Sequence, residues 1–91
     1  MNEYTLNRLT PNQLAELANS SATFLITLTR VSVKIDLYHI RGHFIEVSYS
    51  AKKLPGGSVQ WQLYSANHYP DSPANTKYLA IYLHQIELPF D

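Results

Sequence analysis

Apolar positions change their spacing along the chain, and each change marks an element. Leu14, Leu17 and Ala18 fall at i, i+3 and i+4, the spacing of one helix face. The run Leu9-Thr10-Pro11-Asn12-Gln13-Leu14 just before them carries four start signals. Thr10 can accept a bond from an unpaired amide of the first turn, and Pro11 sits where a missing N–H costs nothing. Gln13 completes a capping box, and Leu9 with Leu14 are spaced as a hydrophobic staple. A helix is expected from Pro11, weakening at Asn19-Ser20-Ser21, where short polar side chains compete for the backbone.

The stretch from Ala22 to Arg30 supports two periods. Ala22, Leu25, Ile26 and Thr29 have helical spacing, whereas Phe24, Ile26 and Leu28 alternate and three threonines favour a strand. The helical spacing, with Ser20 or Ser21 as a cap, predicts a short second helix.

From Val31 the period becomes two. Val33, Ile35 and Leu37 alternate with polar residues, and after Ile40-Arg41-Gly42 the alternation resumes with Ile45, Val47 and Tyr49. A two-residue turn at Arg41-Gly42 would set Leu37 opposite Glu46 and mix the faces. A three-residue loop with Gly42 left-handed instead sets Leu37 against Ile45, Ile35 against Val47 and Val33 against Tyr49, so this hairpin is expected. Residues Ala51 to Ser58 read as a loop broken by Pro55-Gly56-Gly57. Val59, Trp61 and Leu63 form a third strand, with Trp61 expected in the core. Ala66 to Asn75 reads as a loop. Leu79, Tyr82, Leu83 and Ile86 then predict a helix over 77–88 that stops at Pro89, with a fourth strand as the competing reading of Leu79, Ile81 and Leu83.

The elements sum to one α+β domain over residues 1–91. One or two N-terminal helices and a C-terminal helix cover one face of a three-stranded antiparallel meander. Composition agrees: about a quarter of the chain is Leu, Ile, Val or Phe, above the ~20% floor of disordered chains. No cysteine is present, which excludes disulfides and thiolate chemistry. No apolar run reaches membrane-span length and Met1-Asn2-Glu3-Tyr4 does not open a signal peptide, so a soluble, cytoplasmic protein is expected with no membrane contact.

In the expected register Tyr38, Phe44 and Tyr64 form a row on the outer sheet face, with Ile40 beside it. Clustered apolar area of this kind marks a contact surface, unless the C-terminal helix folds over it. Seven basic and seven acidic residues give no net charge, and no basic groove accompanies the rings, so nucleic acid is not the expected partner. His39 and His43 become cross-strand neighbours and are the weak metal candidates, but two imidazoles fall short of the three or four ligands zinc wants. No metal or cofactor is therefore assigned. Asp36 and Glu46, facing each other on an open strand surface, would stay solvated and offer no acid–base pair. No catalytic residue is named.

The expected function is a non-enzymatic protein-interaction module. It self-associates as a homodimer or larger oligomer, or docks a protein partner, through Tyr38, Ile40, Phe44 and Tyr64. The alternative is a small-ligand or metal-binding protein with a pocket between the sheet and the helices.

Overall fold

The structure, a computed structural model, describes residues 3–72. The element order is α1 (Glu3–Leu6), α2 (Pro11–Ser21), β1 (Thr23–Thr29), β2 (Val33–Ile40), β3 (His43–Lys53) and β4 (Val59–Pro70). The four strands form one antiparallel sheet in sequential order, an α+β arrangement in which the helices pack on one face. Among the described residues no helix is long and apolar enough to cross a membrane. The helix expected over 77–88 lies outside the described residues.

Helix α2 starts as its sequence requires. The Gln13 N–H donates to Thr10 Oγ1 at 3.2 Å and the Thr10 N–H donates to Gln13 Oε1 at 2.9 Å, closing the capping box. The helix continues through Asn19-Ser20-Ser21 rather than weakening there. Asn19 is held because its Oδ1 accepts the Tyr38 hydroxyl at 2.8 Å, tying α2 to β2.

Residues 22–30 are not a helix. Thr23–Thr29 within them form strand β1, whose Ile26 and Leu28 pair with Leu37 and Ile35 on β2. Three β-branched threonines and this cross-strand packing outweigh the helical spacing. Among the described residues the sheet therefore has four strands, where three were expected. Two of the expected loops also shrink. Strand β3 runs on to Lys53, and a short turn closes where Leu54 N–H donates to Ser58 O at 2.8 Å. Strand β4 runs through the segment read as a loop, to Pro70.

The β2–β3 hairpin is closed by the two-residue turn rejected above. Ile40 pairs with His43, leaving Arg41 (φ 43) and Gly42 (φ 80) as its two central residues. Positive φ at both positions matches the twist of the flanking strands. Leu37 consequently pairs with Glu46 and Ile35 with Ser48. The longer loop would gather the apolar residues on one face, but this sheet is apolar on both faces. Tyr38, Ile40, Ile45 and Val47 pack under Leu6, Leu14, Ala15 and Ala18 on the helix face. Leu37 and Phe44 are buried on the opposite face against Ile26, Leu28, Ile35 and Tyr69. Trp61, half-buried, lies outside both clusters, with the Lys34 ammonium 5.6 Å from its ring centre.

Candidate interaction edge and histidine pair

Strand β1 is an edge of the sheet. Its inner side bonds to β2, and among the described residues no strand lies along its outer side. Its sequence, Thr-Phe-Leu-Ile-Thr-Leu-Thr, contains no charge, proline or glycine. Natural edges are usually blunted by lysine, proline or a bulge, and β1 has only the last of these. Phe24 pairs with Tyr38 and Ile26 with Leu37, so Leu25 is the extra residue of a bulge. Phe24 is 53% exposed, Leu25 45% and Val31, in the turn after the strand, 103%. Large apolar side chains are thus exposed at the start of the edge and just beyond its end, with Thr27 and Thr29 exposed between them. None of these residues is assigned an interaction role from the sequence, although the alternation of Phe24, Ile26 and Leu28 among threonines is the available signal.

The aromatic row does not form, because its register depended on the longer loop. Tyr38 and Ile40 lie in the core beneath the helices. Phe44 is buried on the opposite face, its ring centre 5.4 Å from that of Tyr69. Tyr64 is 75% exposed and is the extra residue of a bulge, since Ser65 pairs with Ser48 and Leu63 with Tyr49. Burial and the nearby Asp36 carboxylate raise the Tyr38 pKa above the ordinary tyrosine value. Asp36 and Glu46 do not face each other. Asp36 pairs with Val47 and accepts the Thr27 hydroxyl at 2.6 Å, while Glu46 points to the other face.

The turn also separates His39 from His43. His39 pairs with Phe44 on the face away from the helices, its Nε2 3.0 Å from Asp71 Oδ2. His43 turns to the helix face and meets His68, their ring centres 6.1 Å apart at 60°. His68 is placed there because β4 continues past Ala66, setting it opposite Ile45. The His68 Nε2 lies 2.8 Å from Asn7 Oδ1, so α1 and its following turn reach this end of the sheet. Both ring nitrogens of His43 are buried without a hydrogen-bond partner. A buried polar group left unmet costs about 1–3 kcal/mol, so this imidazole asks for an explanation. A cavity of about 340 Å³ borders His68, lined also by Leu6, Leu9, Leu14 and Ala66. It lies between the helices and β4. His84 lies outside the described residues.

Compared with protein families, curated proteins and solved structures, the chain shows no significant match.

Proposed function

We propose that the protein is a non-enzymatic interaction module that self-associates by strand pairing along β1. The observation that carries this reading is the uncharged, apolar edge of Thr23–Thr29, along whose outer side no strand lies among the described residues. An edge strand presents a row of N–H and C=O groups that template another strand, and main-chain bonds supply the affinity. A second copy suits this edge because an uncharged strand meets no like charge when it faces itself. A two-fold axis between the edges makes the contact self-complementary and closes it at two subunits. The two sheets then continue into one another, and Phe24, Leu25 and Val31 lose water at the junction. The interface is small, because a seven-residue strand spans only about 23 Å, so association is expected to be weak and concentration-dependent. The bulge at Leu25 limits the pairing further and restrains open-ended stacking.

Light scattering after size exclusion tests the reading. The wild type should move from monomer to dimer as concentration rises, and Leu25→Lys should remain monomeric. A wild type that stays monomeric at every concentration, or a Leu25→Lys variant that dimerises equally well, would overturn it.

A further inference from the structure

We infer that two copies of the chain meet about Leu28, on a two-fold axis that runs perpendicular to the sheet between Leu28 and the partner's Leu28. This rests on the strand pairing proposed above and goes beyond it, because it names which residues of the two copies face each other. The first support is the direction of the β1 main chain. Facing residues of an antiparallel pair alternate between those that exchange hydrogen bonds and those that do not. The Arg30 N–H donates to Val33 O at 2.7 Å, which makes these two a bonded pair. Counting back along the ladder, Leu28 with Ile35 and Ile26 with Leu37 are bonded pairs, whereas Thr29 with Lys34 and Thr27 with Asp36 are not. The main-chain groups of Thr27 and Thr29 therefore point to the outer side of β1. A second copy paired two-fold can set Thr27 against the partner's Thr27, Thr29 against the partner's Thr29, or Thr27 against the partner's Thr29 with Leu28 on the axis. Only the last uses both outward residues of each copy in pairs that exchange two bonds each.

The second support is what the side chains meet in this register. Leu28 faces the partner's Leu28 on the side of the sheet away from the helices. Ile26 and Leu28 already pack against Leu37 and Phe44, so the second apolar cluster of each copy runs into that of the other. Leu25, 45% exposed, comes level with the partner's Val31, and Val31, 103% exposed, with the partner's Leu25. On the helix face Thr27 lies opposite the partner's Thr29, a favourable cross-strand pair. The Thr27 hydroxyl donates to Asp36 Oδ1 at 2.6 Å, so its oxygen can accept from the partner's Thr29. The third support is charge. Asp36 flanks Thr27 and Lys34 flanks Thr29. With Leu28 on the axis, Lys34 falls in line with the partner's Asp36, whereas the other two registers align Asp36 with the partner's Asp36 or Lys34 with the partner's Lys34. Three strand spacings put these groups about 14 Å apart, so screening leaves charge a minor preference beside the main-chain bonds. The perpendicular axis also keeps α2 and the partner's α2 on the same face of the joined sheet.

Single cysteines test the register, because the chain has none of its own. At a concentration where light scattering shows the wild type to be dimeric, Leu28→Cys should form a disulfide-linked dimer under mild oxidation. Facing residues without mutual bonds hold their Cα atoms about 4.5 Å apart, within disulfide reach. Thr27→Cys and Thr29→Cys should each link at least about tenfold more slowly, since each then lies about 8 Å from its own copy, beyond that reach. Because Leu28→Cys trims a partly buried side chain, the wild type supplies a second readout that needs no substitution. In a mixture of isotope-labelled and unlabelled wild type, filtered nuclear Overhauser spectra should connect Leu28 methyl groups across the two copies. Faster linking of Thr27→Cys or Thr29→Cys than of Leu28→Cys would overturn the register and leave the edge pairing standing. A dimer in which none of the three links and no Leu28 contact crosses between copies would overturn both. A wild type that is monomeric at every concentration would remove the pairing itself, and this register with it.

Discussion

Strands β1 and β3 are both rich in alternating apolar residues, but they occupy different places in the sheet. Strand β3 bonds to a neighbour on each side, and its Ile45 and Val47 are sealed beneath the helices while Phe44 is buried on the other face. It can carry Glu46, Lys52 and Lys53 because interior pairing already fixes it. Among the described residues strand β1 bonds to a neighbour on one side only; it carries no charge and leaves Phe24 and Leu25 about half exposed. The same pattern of side chains therefore stabilises the monomer in β3 and, in the function proposed above, would serve intermolecular contact in β1. Position in the sheet decides between these uses, and alternation alone does not reveal it.

Substitutions should separate the two strands by size of effect. Ile45→Ala, in the sealed part of β3, should cost about 2–5 kcal/mol in urea unfolding, as large-to-small changes in cores do. Gly42→Ala tests the turn that holds β2 against β3. A side chain at φ 80 meets left-handed strain, and a loss of about 1–2 kcal/mol is expected even though a Cβ there has open space around it. A loss much below this range would mean that the turn can reshape, and that interior pairing fixes the register without it.

Tyr38→Phe removes the bond that joins β2 to Asn19 and should cost about 0.5–1.5 kcal/mol near neutral pH. It should also alter the alkaline limb of the stability curve. The folded protein holds the Tyr38 proton more tightly than the unfolded chain, whose tyrosines ionise near 10.0. Above that pH the unfolded state loses its proton first, so stability falls as pH rises. The phenylalanine variant should lose this part of the decline, which denaturant titrations at stepped alkaline pH would show. On the exposed edge, Leu25→Lys should change monomer stability by no more than about 0.5 kcal/mol, the smallest effect of the set. A larger loss would show that the edge residue supports the monomer's own packing.

Sequence and structure agree best where the chemistry is local. Thr10, Pro11 and Gln13 specify the start of α2 through contacts within one turn, and the structure forms them. The alternating runs around Val33–Leu37, Ile45–Tyr49 and Val59–Leu63 are strands as expected. Pairing required knowledge from farther away. The choice of turn rested on the assumption that one sheet face is wet, and the second apolar cluster around Leu37 and Phe44 removes that assumption. Shifting that register dispersed Tyr38, Ile40, Phe44 and Tyr64 and parted His39 from His43. The meeting of His43 with His68 depends on β4 extending past Ala66, which the polar residues and Pro70 obscured. Residues 22–30 were ambiguous because their helical and alternating spacings coincide, and only the partner strand resolves them.

The most direct test of the strand-pairing account is hydrogen–deuterium exchange of the Thr23–Thr29 amides in dilute and concentrated solutions of the wild type. Strand pairing between copies predicts that amides on the outer side of β1 become protected as concentration rises, while those of β3 do not change. If β1 exchanges at the same rate at both concentrations while the protein is shown to be dimeric, the copies meet elsewhere and the edge is not the interface.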